Sequence, residues 1–212
     1  MSGGTVAVVP IRSLTGGKSR LSGAVDAEAR AELIRLMLCN VLRALSETTG
    51  VDQIAVVSPE PAALALAANL IDHAELLAQP VDTPGLLPAL ELGRDHARDA
   101  CAGSLVIVFG DLPRLTAADV DAVLRSNADV VIAPDRDGVG TNALLLRGQA
   151  IASFPFRFGD VSFPAHLAAA ESLGLCVDVV EREGLSFDLD TPGDLTMLTI
   201  AMTSSAPWAA AS

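Results

Sequence analysis

The sequence predicts an α/β fold, a mostly parallel mixed sheet covered by helices on both faces, and three observations lead there. Short β-rich runs alternate with helical stretches along most of the chain. The clearest of those runs, TVAVVP at Thr5–Pro10 and SLVIVF at 104–109, are apolar throughout, as strands buried on both faces are. Half of the 212 residues are apolar but only 3% are aromatic, so a sizeable core is available and must be built from Ala, Leu, Val and Ile.

In chain order, Thr5–Pro10 reads as the first strand, ended by its proline. Residues 27–47 carry Leu33, Leu36, Met37, Val41 and Leu45 at helical spacing, with Gly50 beyond as a stop signal. QIAVV at 53–57 reads as strand, Pro61–Leu70 as an Ala-rich helix, Glu75–Ala78 as strand and 88–99 as helix. A strand at 104–109, a helix at 117–125 and a strand at 129–133 follow. After Pro134 the pattern changes: 142–146 and 175–180 read as strands with a helix at 164–173 between them, and a last helix starts near Pro192. With no internal repeat and no linker, one domain is expected over residues 1–202, then a flexible Ser/Ala-rich tail at 203–212.

Charge and cysteine use narrow the function. A formal net charge of −12 argues against nucleic acid, whose backbone is bound by basic surfaces. A small anionic substrate stays open, because it needs only a few local cations, with a metal supplying the rest. The three cysteines, Cys39, Cys101 and Cys176, form no CxxC pair and no Cys/His spacing, so they read as buried free thiols. No apolar run approaches the roughly 20 residues that span a bilayer. The start lacks the basic-then-apolar pattern of a secretory signal, so the expectation is no membrane and a cytoplasmic location.

Ligands of open α/β sheets sit beyond the carboxyl ends of the strands, so the segments after each strand carry the chemistry. The loop after the first strand, PIRSLTGGKSRL at 10–21, gathers Arg12, Lys18 and Arg20 around Gly16 and Gly17. Glycines let backbone N–H groups approach phosphate oxygens, and the cations offset a triphosphate's charge, with a solvated basic loop as the competing account. The GxxxxGK[ST] spacing of a Walker loop is absent. Asp111, in FGDLP at 109–113, follows an apolar strand directly, where a carboxylate can hold magnesium; Thr116 is the better cap for the next helix. In SFDLDTPGDL at 186–195, Asp188 and Asp190 alternate along an extended segment and face one side. Two carboxylates that close repel unless a cation lies between them, so the pair reads as a metal site, with a solvated acidic turn as the competing account. Asp194 belongs to the first turn of the helix that Pro192 opens.

PDRDGVGTN at 134–142 suits a turn that donates hydrogen bonds to an oxyanion, with an ordinary Gly-rich hairpin as the competing account. In FRFGDVSFPAH at 156–166, Gly159 and Ser162 precede a helix whose free N–H groups could grip a carboxylate or phosphate. His166, one turn in, is either structural or in contact with substrate.

Together these stretches resemble the 2-phospho-L-lactate and phosphoenolpyruvate guanylyltransferase family of coenzyme F420 biosynthesis. The resemblance spans residues 6–198 through GGKSRL, GDLP, GTNAL, FRFGDVSFPAH and DLDTPGDL. It implies a GT-A-like nucleotidyltransferase fold, with GTP and Mg2+ required. It also implies a metal held by Asp111, Asp188 and Asp190, and an acid bound by Thr141, Gly159 and Ser162. Lys18 and Arg20 would meet the triphosphate, beside Arg12, Gly16 and Gly17 of the same loop. Two positions depart from the family: Arg12 stands where Lys is usual, and Leu87 where an Asn lies near the base. The expected reaction joins the phosphate of phosphoenolpyruvate, 2-phospho-L-lactate or 3-phosphoglycerate to the α-phosphorus of GTP. The rival readings are a molybdopterin or sugar-phosphate nucleotidyltransferase, or a catalytically silent nucleotide-binding module on the same fold. The expected partners are these small molecules, and Ala-rich helices would allow a homodimer.

Overall fold

The computed structural model describes residues 3–204, the side chains of 199–204 excepted. Its strands are β1 (Thr5–Pro10), β2 (Gln53–Ser58), β3 (Glu75–Ala78), β4 (Ser104–Val108), β5 (Val130–Pro134), β6 (Thr141–Arg147) and β7 (Val177–Val179). They form one sheet in the order β3-β2-β1-β4-β6-β5-β7. Strands β1, β2, β3 and β4 pair in parallel, as do β5 and β7, whereas β6 runs antiparallel between β4 and β5. The expected mixed, mostly parallel sheet is therefore present.

The helices are α1 (Ala27–Ser46), α2 (Pro61–Leu70), α3 (Leu86–Asp99), α4 (Ala117–Leu124), α5 (Ala150–Ser153), α6 (Ser162–Ser172), α7 (Glu183–Ser186) and α8 (Pro192–Ser204). Alternate strand residues serve opposite faces. Ala7, Val9, Val56, Val106 and Val131 pack with Met37, Leu38 and Val41 of α1, Ala63 and Ala67 of α2 and Val120 and Val123 of α4. Val6, Val8, Val57, Ile107 and Ile132 pack with Leu90 of α3, Ile151 of α5 and Ala169 and Ala170 of α6. Helix α3 lies close over β1 because Gly93 has no side chain there: a Cβ would stand 2.5 Å from Val8 Cγ1.

Two helices start earlier than their prolines suggest. Pro88 and Pro164 are each the third residue of a helix, in α3 and α6, and not its opening residue. The first-turn N–H groups have no intrahelical partner, so a proline there costs no hydrogen bond. Helix α8 is described to Ser204, past the expected start of a tail at Thr203, and residues 205–212 lie outside the described residues. Among the described residues no helix is long and apolar enough to cross a membrane. The three cysteines are free but not buried as expected: Cys39 is half-buried on α1, and Cys101 and Cys176 are exposed because they fall in the turn after α3 and the segment before β7.

The topology gathers the chemistry at one edge. Strands β1, β2, β4 and β5 all end there, and β6, being antiparallel, begins there. Pro134 pairs with Thr141 and Val108 with Ala143, so the β5–β6 turn, Thr141 and the segment after β4 share that edge.

Candidate active site

Asp111 follows β4 in the turn Gly110–Asp111 and is not the cap of the next helix. Thr116 caps α4, in a reciprocal capping box with Asp119. The segment carrying Asp188 and Asp190 is drawn to this turn when Leu189 N–H donates to the Asp111 carbonyl at 3.4 Å. Leu189 is fully buried, so the residues on either side of it project away from the core. Alternation thus sets the direction of both carboxylates.

Lys18 enters from the β1 loop between Asp111 and Asp190. Its Nζ donates to Asp111 Oδ2 at 2.6 Å and to Asp190 Oδ1 at 2.5 Å, and Arg20 lies 3.9 Å from the other oxygen of Asp190. Lys18, Ser19, Arg20, Asp111 and Asp190 line an open cavity of about 310 Å³. Burial alone would lower the Lys18 pKa, but Asp111 and Asp190 outweigh it, so the ammonium is held above its usual value. For Asp188 burial comes first, and the charges of Asp111 and Asp190 add to it, so its carboxyl is pushed up. The site therefore holds more negative charge than one lysine compensates.

The loop around Lys18 differs in detail from a phosphate cradle. The N–H groups of Thr15 and Gly16 both donate to Ser13 Oγ, at 3.1 and 2.8 Å, so Gly16 is already satisfied within the turn. Gly17 gives clearance to α1, since a Cβ would come 3.1 Å from Ile34 Cδ1. Arg12 is exposed. Lys18 takes a left-handed backbone, φ 57°, which turns the chain into the one-turn helix Ser19–Leu21.

Asp194 lies behind the carboxylates, only 2% exposed. One of its oxygens accepts from Asp190 N–H, Thr191 N–H and the Thr191 hydroxyl, and the other pairs with Arg136. These bonds outweigh burial and hold its carboxyl below the usual range. As expected, Asp194 is a helix-end residue; its pairing with Arg136 from the β5–β6 turn is not apparent in the sequence. In that turn Asp135 accepts from Val139 N–H and Gly140 N–H, both at 2.8 Å. Gly140 is needed there, because a Cβ would meet Asp135 Oδ2 at 2.7 Å.

Thr141, Gly159 and Ser162, the residues expected to bind the acid, lie at the start of β6, in the loop before α6 and at the first position of α6. Phe163 N–H donates to the Val139 carbonyl at 2.9 Å, docking the start of α6 on the β5–β6 turn. Thr141 and Ser162 are 4% and 3% exposed, while Gly159 is exposed in the loop between them. This region meets the Asp111 turn through rings: Phe109, just before that turn, packs edge-on against Phe158 with centroids 5.3 Å apart. Phe158 in turn packs edge-on against His166 at 4.7 Å. Leu87 is exposed at the start of α3, and the preceding loop is held by Gln79, whose amide donates to the Thr83 and Gly85 carbonyls.

Among the described residues no group of three or more His, Cys, Asp or Glu side chains stands together as a metal site. The donor set still has the right chemistry for a hard cation. Asp111 and Asp190 converge on one point, which the Lys18 ammonium now takes, and Asp188 beside them is under-compensated.

A sequence model of the family described as Guanylyl transferase CofC like matches residues 5–206. The chain belongs to this family. The CofC-like chain is 44% identical over 195 residues to the phosphoenolpyruvate guanylyltransferase of Rubrobacter xylanophilus, covering 91% of this chain and 92% of that one. It is 37% identical to the 2-phospho-L-lactate guanylyltransferase of Methanothermobacter thermautotrophicus, covering 90% of this chain and 82% of the relative. Among solved structures, a nucleotidyl transferase from Methanothermobacter superposes with a TM-score of 0.66 at 19% identity, covering 95% of this chain and 99% of the other. A candidate nucleotide-diphospho-sugar transferase from Desulfovibrio desulfuricans G20 superposes with a TM-score of 0.75 at 20% identity, over 97% and 90% of the two chains. At these identities the CofC-like chain shares their nucleotidyltransferase fold.

Proposed function

We propose that this CofC-like chain transfers GMP from GTP to the phosphate of phosphoenolpyruvate or 2-phospho-L-lactate, with 3-phosphoglycerate as a further acceptor to test. The observation that carries this reading is the convergence of Lys18, Arg20, Asp111 and Asp190 on one cavity at the sheet's carboxyl edge. The family to which the chain belongs supports it. So do the names of relatives that span most of its length.

An oxygen of the acid's phosphate forms a bond to the α-phosphorus, and the bond from that phosphorus to the β-phosphate oxygen breaks, releasing pyrophosphate. The attacking oxygen is ionised at neutral pH, so no general base is required. That agrees with a site built of cations, carboxylates and hydroxyls. Catalysis then reduces to alignment and to neutralising charge. Lys18 has three N–H donors and spends two on Asp111 and Asp190, which leaves one for a phosphate oxygen. Its raised pKa keeps it cationic at any working pH. Arg20 and Arg12, both exposed, extend the positive charge toward the triphosphate. Thr141, Gly159 and Ser162 bind the acid, and the Phe109–Phe158 contact fixes their loop against the Asp111 turn.

Asp111, Asp188 and Asp190 are the residues that would hold Mg2+. When bound, it would supply the positive charge that Lys18 alone does not and would stabilise the departing pyrophosphate. The test is pyrophosphate release on incubation with Mg2+, each of the four nucleoside triphosphates and each of the three acids. Release is expected with GTP and with phosphoenolpyruvate or phospholactate. Silence with every combination would favour a binding module.

A further inference from the structure

His166 is fully buried one turn into α6, and its two ring nitrogens have different partners. The backbone N–H of Arg157 lies 3.0 Å from Nε2, and the Thr141 hydroxyl oxygen lies 3.0 Å from Nδ1. A backbone N–H can only donate, so Nε2 carries the lone pair and the proton of the neutral ring is on Nδ1. The ring is kept neutral: burial, and then the charge of Arg157, push its pKa down to about 4. Nδ1–H therefore donates to the Thr141 oxygen. A hydroxyl that accepts this bond keeps its own hydrogen for another acceptor, and no protein group among the described residues takes it. Phe158, edge-on at 4.7 Å, and Phe154, with its centroid 5.9 Å away, hold the ring in place.

We infer that His166 is a positioning residue for the acceptor acid: its fixed tautomer makes the Thr141 hydroxyl a donor to an anionic oxygen of the acid. Its other nitrogen ties down the loop that carries Gly159. The inference rests on the reading of Thr141 as an acid-binding residue. It also gives that subsite a polarity. A hydroxyl turned this way welcomes a carboxylate or phosphate oxygen and offers poor company to an N–H or O–H of the ligand.

Two substitutions separate the two bonds. In His166→Asn the amide nitrogen takes the place of Nδ1, which keeps the donor to Thr141 and gives up Arg157. In His166→Gln the amide oxygen reaches toward the place of Nε2, which keeps Arg157 and gives up the donor. With GTP and phosphoenolpyruvate as probes, His166→Gln is expected to raise the KM of the acid roughly tenfold or more, the effect of one hydrogen bond to a charged group. The KM of GTP should change less than twofold, and His166→Asn should recover most of the acid affinity. Thr141→Val should raise the acid KM by a similar factor, and adding His166→Gln to it should cost nothing more.

An unchanged acid KM in Thr141→Val would refute the acid-binding reading and this inference with it. A raised KM in Thr141→Val beside an unchanged one in His166→Gln would overturn the inference alone. So would multiplying effects in the double variant, or equal losses for both substrates. One readout needs no variant: the nitrogen NMR spectrum of histidine-labelled protein should show His166 protonated at Nδ1, shifting when phosphoenolpyruvate is added. A ring protonated at Nε2 would contradict the inference outright.

Discussion

Lys18 and His166 are both nitrogen groups set into the same sheet edge, yet their surroundings are opposite. Lys18 lies between two carboxylates that are 33% and 43% exposed, and its charge is the reason it is there. His166 lies fully buried between a hydroxyl and a backbone N–H, in contact with rings, and its neutrality is the reason it fits. The first arrangement is a balance of charges open to solvent, in which a cation or a phosphate can replace a partner. The second is a fixed hydrogen-bond chain with nothing to exchange. In the proposed reaction, a nucleotide-handling end that rearranges charge and an acid-binding end that presents one donor would call for these two constructions.

Removing the charged nitrogen should have the largest effect. Lys18→Met leaves Asp111, Asp188 and Asp190 without their internal cation, and turnover is expected to fall about a hundredfold or more. Steady-state pyrophosphate release measures it, and a loss below about threefold would remove Lys18 from the chemistry.

The neutral nitrogen should show itself in stability against pH. The folded-state pKa of His166, about 4, lies below the ordinary 6.5. As pH falls through that window the unfolded chain binds a proton that the folded chain refuses, so stability falls. The loss from this residue is roughly 3 kcal/mol in total. Urea unfolding at pH 7 and pH 4.5 should show a smaller acid loss in His166→Gln than in the parent. An equal loss in both would mean that His166 is not held neutral.

Asp194 connects the two ends, since it holds the Asp190 segment and pairs with Arg136 from the turn that leads into Thr141. Arg136→Ala leaves a buried carboxylate without its cation. The expected cost is roughly 2 kcal/mol, less than for a fully enclosed pair because the arginine side is part-exposed. Gly93→Ala is a control remote from both ends. It drives a methyl into Val8 and should cost about 1–3 kcal/mol, with both KM values unchanged.

Much of this was readable from residue order. The apolar runs of β1 and β4 place a loop and a carboxylate at one edge, and the Asp-Leu-Asp alternation, with Leu189 inward, aims two carboxylates outward. Where a partner is distant in sequence, no local signal exists. Thr141 and His166 are 25 residues apart, and Arg136 and Asp194 are 58 apart. Which nitrogen of His166 carries the proton depends on a backbone N–H whose direction only the folded loop sets. The antiparallel insertion of β6 is equally silent, because a buried strand reads the same in either direction. Pro88 and Pro164 misplace two helix starts, because a first-turn proline is tolerated at more than one position.

The central claim, guanylyl transfer at the cavity shared by Lys18 and the carboxylates, is tested most directly by Asp111→Asn. The substitution removes one negative charge and keeps the side chain's size. Pyrophosphate release from GTP and phosphoenolpyruvate in the presence of Mg2+ should disappear, while the thermal melting curve and circular dichroism stay those of the parent. Full activity in that variant would contradict the account.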